Sequence, residues 1–87
     1  MSSPALDAAL SADGAAALPR RNGELAFDAP WQGRALAMAV LLVERRGLPW
    51  DHFRSLLIAA IADDPGRPYW DSWVAALDEL VELDSSH

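Results

Sequence analysis

The 87-residue chain has no cysteine, and its seven basic residues are all arginines, so lysine is absent too. Without cysteine there can be no disulfide and no thiolate metal ligand, and a reducing, cytoplasmic setting is the expected one. The seven arginines stand against 13 acidic residues, for a net charge of −6. An acidic chain without a basic stripe is not suited to nucleic acid or to an anionic membrane surface. The longest apolar run covers 35–43, far short of the roughly 20 residues that span a bilayer. No positive segment precedes an apolar stretch near Met1, so no secretory signal is expected. No sustained alternation of polar and β-branched residues occurs, and no internal repeat is visible.

What the chain does have is tryptophan. Trp31, Trp50, Trp70 and Trp73 outnumber two phenylalanines and one tyrosine. A chain this short buries only about 60% of the surface its unfolded form exposes, so large aromatics must supply much of the core. Local signals divide the sequence. Residues 1–17 read as a flexible leader; Pro4 can start a short helix through Leu10, but Gly14 and Pro19 interrupt anything longer. Asn22-Gly23 reads as a turn, because both residues tolerate positive φ, and 24–27 as extended. Three helices follow. The first, 30–46, has Pro30 in its first turn, Arg45 and Arg46 in its last, and Gly47 as C-terminal cap. The second covers 50–63 and ends at Asp63-Asp64-Pro65-Gly66. The third, 68–83, places Trp70, Trp73, Val74, Leu77, Leu80 and Val81 at amphipathic spacing. The expected fold is all-α: a small bundle of three main helices over a body of 18–83, with 84–87 as a disordered tail.

The first of these helices is apolar around its whole circumference. Trp31, Ala35, Met38, Ala39 and Leu42 share one side of a helical wheel, and Gly33, Ala37, Val40 and Leu41 much of the other. Such a helix is expected to be buried on all sides, yet two further helices cannot easily cover it. Either the leader folds over it or another protein does. Gly33 and Ala37, four apart, would admit a second backbone closely. Trp31, Gly33, Arg34 and Ala37 are therefore candidate partner contacts, against the plainer reading of a central core helix.

Other polar residues weigh toward structure. His52 and His87 are the only histidines; His52 is adjacent to Asp51, so the two do not share a helix face, and His87 is terminal, so no tight metal site is expected. Asp63-Asp64 reads as a solvated helix end. Asp71, Asp78 and Glu82 form an acidic stripe with no flanking nucleophile, and a solvated face is expected rather than acid–base catalysis. Arg20-Arg21 either touches an acidic partner surface or merely flanks the turn. Trp70 and Trp73 read as core rather than as a ligand platform.

The segments "LPRRNGELAFDAPWQGRALAMAVLL", "WDHFRSLLIAAI" and "YWDSWVAALDELV", in this order and spacing, resemble the nitrile hydratase accessory (activator) proteins. Those are similar in turn to the helical N-terminal half of the nitrile hydratase β subunit and to the matching parts of thiocyanate hydrolase. The resemblance covers Leu18 to Val81. It implies a non-catalytic assembly chaperone that binds the α subunit of a cobalt or iron nitrile hydratase and assists metal insertion and cysteine-ligand oxidation. The α subunit then passes to its true β subunit. The metal belongs to the partner, since this chain supplies no thiolate. The resemblance also implies a role for Arg54, at the position of a β-subunit arginine that hydrogen-bonds the oxidised cysteine ligands. A planar guanidinium can bridge two sulfur-bound oxygens with parallel donors. Ile58 lies one turn further on the same flank. Without the resemblance, Arg54 reads as a helix-surface arginine.

Two departures bear on this expectation. The ending "VELDSSH" is acidic, where several cobalt-type accessory proteins carry a basic tail, so metal delivery by a tail is not expected. The β subunit's C-terminal barrel has no counterpart, so a full catalytic β role is not expected. The alternatives are a truncated β-like structural subunit of a nitrile hydratase or thiocyanate hydrolase, and a helical protein-binding module with another partner.

Overall fold

Hydrogen-bond donors and acceptors at the helix ends decide most boundaries in this chain. The computed structural model describes residues 3–85. Its elements, in order, are α1 (Pro4–Ser11), a 3-10 turn (Gly14–Ala16), β1 (Arg20–Arg21), β2 (Glu24–Leu25), α2 (Pro30–Arg45), α3 (Trp50–Asp63) and α4 (Tyr69–Ser85). α2 opens on Pro30, whose missing N–H is one of the donors a helix start leaves unpaired anyway. Its end is a Schellman motif. Gly47, at φ +68°, donates its N–H to the Glu44 carbonyl at 3.1 Å, and Leu48 donates to the Val43 carbonyl at 2.8 Å. α3 follows directly, and α3 and α4 form the most extensive helix pair.

The fold is mostly helical, as expected; among the described residues the three main helices are joined by a short fourth one in the leader, and a small hairpin makes the fold not strictly all-α. β1 and β2 pair antiparallel, Arg20 with Leu25 and Arg21 with Glu24. The two residues between them, Asn22 at φ 54° and Gly23 at φ +81°, are both left-handed. That is the geometry whose twist suits two adjacent strands.

The short helix that Pro4 was expected to start in the leader is present. Residues 4–11 are helical, and Ala5 and Ala9, one turn apart, are 5% and 1% exposed. Alanine has the highest helix propensity, and its small side chain lets the α1 backbone approach the body closely. One polar contact caps it and two tie it to the body. The Ser3 hydroxyl accepts from the Leu6 N–H at 3.1 Å as an N-cap, and donates to Glu44 Oε2 on α2 at 2.6 Å. Arg20 donates to the Leu10 carbonyl at the far end, at 2.8 Å. At the other terminus α4 runs on to Ser85, two residues beyond the expected stop. Of the expected tail 84–87, the last two residues, His87 among them, lie outside the described residues.

The core is aromatic. All seven aromatic side chains of the chain form one connected cluster. Phe27 and Trp31 meet Trp70; Tyr69 and Trp70 lead to Trp73; Trp73 lies against Trp50 and Phe53 of α3. Trp73 and Phe53 are fully buried, with ring centroids 4.6 Å apart. The Trp73 indole N–H is not left unpaired. It donates to the Tyr69 hydroxyl at 2.9 Å, and that hydroxyl donates to the Ala16 carbonyl at 3.2 Å. One chain of hydrogen bonds thus ties α4 to the 3-10 turn 53 positions away in sequence. Arg67 performs a similar task between α3 and α4. It donates to the Ala60 carbonyl in the last turn of α3 at 2.6 Å and to Ser72 Oγ, a buried hydroxyl, at 3.2 Å.

Burial raises the Tyr69 pKa above its ordinary value of 10.0, and the hydrogen bond from Trp73 only partly offsets this. Unfolded, the phenol ionises near pH 10; folded, it holds its proton to higher pH. The unfolded state therefore binds fewer protons above pH 10, and stability is unaffected below that point and falls as pH rises through the folded pKa. The chain has no lysine and no cysteine, and Tyr69 is its single tyrosine. Tyr69→Phe is expected to reduce stability at pH 7 by about 1–3 kcal/mol, because it leaves a buried indole donor and a carbonyl unpaired. It should also remove most of the alkaline loss of stability. Urea denaturation of both proteins between pH 7 and pH 11 measures the two effects.

Candidate protein-binding surface

Every expected contact residue can now be placed. α2 does not have apolar burial on all sides. Its core face is Gln32, Ala35, Leu36, Ala39, Val40 and Val43, a regular three-four stripe that neither side of the expected wheel anticipated. Gln32 joins that face because its side-chain carbonyl accepts the Asp28 N–H at 2.7 Å. The bond ties the helix start back to the chain just ahead of Ala29, which has no capping side chain of its own. The opposite face stays open: Ala37 is exposed, Met38 is 49% exposed and Leu41 65%. Neither α1 nor the other helices cover it.

Gly33 and Ala37 line a shallow apolar groove of about 380 Å³ together with Leu36, Val40, Leu41 and Glu44. The nearest side chain to a Cβ at Gly33 would be the Phe27 ring, at 3.8 Å, an ordinary contact. Gly33 is thus not enforced by the fold itself. Trp31 and Arg34 are exposed on the neighbouring stripe, Trp31 resting edge-on against Trp70 at 6.3 Å.

Arg54 lies on α3 at a second, larger cleft of about 590 Å³, walled by Ala5 and Ala8 of α1, by Glu44 and Leu48, and by Trp50. Its hydrogen bond among the described residues goes to Asp51 Oδ1 at 3.5 Å. Asp51 is 74% exposed in its side chain and Arg54 39%, so the pair is solvent-screened and worth little. A guanidinium held so loosely keeps most of its donors available. Ile58, one turn on, is half-buried against the core and does not line the cleft. Arg20 is committed internally, to the Leu10 and Gly23 carbonyls. Arg21 is exposed and pairs with Asp28 at 3.6 Å, with both side chains at least 75% exposed.

The Arg54 cleft and the Gly33–Ala37 groove lie on two flanks of α1 and share Glu44. The sequence pointed to Arg54, Gly33 and Ala37 and to a short helix starting at Pro4, but not to the place of that helix between the two recesses. The available signal was Ser3 ahead of Pro4, an N-cap followed by a good first-turn residue.

The remaining polar candidates form no site. His52, Asp63, Asp64, Asp71, Asp78 and Glu82 are exposed, and Trp70 and Trp73 are core. Among the described residues, no group of three or more histidine, aspartate or glutamate side chains is placed to hold a metal. No described helix is long and apolar enough to cross a membrane. No protein-family model, curated protein or solved structure matches the chain.

Because a methyl group fits at Gly33 and the residue sits inside a helix, Gly33→Ala is expected to stabilise the fold by roughly 0.5–1 kcal/mol. Thermal or urea unfolding monitored by circular dichroism checks this; destabilisation would mean that the Phe27 ring packs more tightly over α2 than 3.8 Å implies.

Proposed function

We propose that this protein is a non-catalytic docking partner: an assembly chaperone for the α subunit of a cobalt or iron nitrile hydratase, or of the equivalent thiocyanate hydrolase subunit. The observation that carries the reading is Arg54, a loosely paired guanidinium at the mouth of a cleft, at the position where the sequence resemblance puts a residue that contacts oxidised cysteine ligands. Three features support it. The chain has no thiol to bind the metal itself, and its described side chains make no ligand cluster. α2 carries more apolar surface than its own fold covers. The groove at Gly33 and Ala37 has room for a second backbone.

In this reading the cobalt or iron stays with the α subunit. Arg54 offers two parallel N–H donors to sulfur-bound oxygens, which become anionic when the cysteines are oxidised. The groove on α2 supplies apolar contact area. The complex exists during maturation and gives way to the true β subunit.

Co-expression with candidate α subunits, followed by metal analysis of the purified α subunit, is the primary test. Metal content and activity should rise only when this chain is present. If the chain instead remains in the purified active enzyme, it is a structural subunit. If metal content is unaffected by every α subunit tried, the reading fails.

Arg54→Lys keeps the charge and loses the two-pronged geometry. We expect it to weaken binding to the metallated, oxidised α subunit by about 1.5–3 kcal/mol, the worth of a charge-assisted hydrogen bond, and to leave binding to the apo form nearly unchanged. Calorimetric titration of both forms measures the difference. Ala37→Leu should weaken both complexes equally through overpacking in the groove, by about 1–3 kcal/mol, while the unfolding midpoint of the free protein stays where it is.

A further inference from the structure

α2 and α4 each present a seam that the fold leaves open. On α2, Trp31, Arg34, Met38, Leu41 and Arg45 are all exposed, and steps of three and four place them on one stripe. On α4, Asp71, Val74, Asp78 and Val81 are all exposed, again in steps of three, four and three. Both seams mix apolar and ionic positions, and the ionic ones have opposite sign: arginine on α2, aspartate on α4. Among the described residues Arg34, Arg45, Asp71 and Asp78 enter no ion pair. The seams begin beside one another. Trp31 and Trp70, each in the first turn of its helix, are in edge contact at 6.3 Å, and Asp71 and Val74 follow Trp70 directly.

We propose that these seams are the two halves of a self-complementary interface, and that its occupant is a second copy of this chain. With α4 of one copy antiparallel on α2 of the other, equal spacing gives one register. Trp31 meets Val81, Arg34 meets Asp78 and Met38 meets Val74. Leu41 then faces Asp71, with Arg45 one turn on and within reach of that carboxylate. A two-fold axis across the helices reverses their direction and repeats each contact with the roles exchanged. That operation needs α2 and α4 of one copy to run in the same direction, and their first turns do lie side by side at Trp31 and Trp70. The interface covers the most exposed apolar side chains of α2 and α4, and its ionic pairs fix the register rather than supply most of the affinity. With fewer contributing residues than the roughly 20 per side of a standard interface, the dimer is weak and concentration-dependent. Gly33, Ala37 and Arg54 take no part in it, but Leu41 borders both the seam and the groove; self-association of the chain alone tests the dimer without any α subunit present.

Sedimentation velocity of the full chain, from about 5 µM to about 500 µM, spans the weak-association range. Its average mass should rise toward that of a dimer. Arg34→Asp and Asp78→Arg should each weaken self-association about tenfold or more, because each puts like charges together twice per dimer. An equimolar mixture of the two variants should restore it, since every like-charge contact then becomes an opposite-charge one. Both positions are exposed, so the circular dichroism of each variant should match the parent. A parent chain that stays monomeric over the whole range overturns the proposal. So does a mixture that associates no better than either variant alone.

Discussion

A 14-residue helix and a 17-residue helix hold together in this short chain because Trp73 occupies the space between them. Its ring lies 4.6 Å from Phe53 and 6.0 Å from Trp50 on α3, and 5.2 Å from Trp70 on its own helix. Large aromatics remove much apolar area from water per residue, which a chain with little interior needs. The indole brings a cost: a buried N–H must find an acceptor or forfeit part of that gain. Tyr69 supplies the acceptor and hands the requirement on to the Ala16 carbonyl. The 3-10 turn, and α1 ahead of it, are drawn into the body by a polar demand that begins in the aromatic core.

That dependence shows what could be read from the sequence and what could not. Helix ends were legible because their causes are local. Pro30, Gly47, Pro49 and the Asp63–Gly66 stop mark α2 and α3 within a residue, and the Asn22-Gly23 turn was equally plain. The lining of α2 was not legible. A run of nearly uniform apolar residues has no preferred side, and the choice was made by Gln32, a polar residue buried for the sake of a backbone donor at Asp28. The core face of α1 was not legible for a related reason, although Pro4 marked the start of a short helix. Alanine-rich sequence has too little bulk to announce a core face, yet Ala5 and Ala9 are buried because small side chains pack where large ones cannot. The place of Arg54 on α3 was legible from the helix it sits in; the α1 wall of its cleft was not, since residues 5 and 54 share no local signal.

The arginines divide by what they are asked to do. Arg20 and Arg67 turn inward, each closing a helix end through a backbone carbonyl, a task suited to a rigid planar fork. Arg34, Arg45 and Arg54 remain outward, on surfaces that also carry uncovered apolar groups. Guanidinium groups stay charged at any physiological pH, so the basic half of every contact on those surfaces is permanent.

α1 is a partition. One of its flanks borders the Arg54 cleft, the other borders the Gly33–Ala37 groove, and Glu44 anchors its leading end through Ser3. The two recesses are therefore not independent volumes. They share a wall, α1, and they share Glu44, so a substitution at Glu44 borders both recesses and removes the Ser3 contact of α1 at the same time.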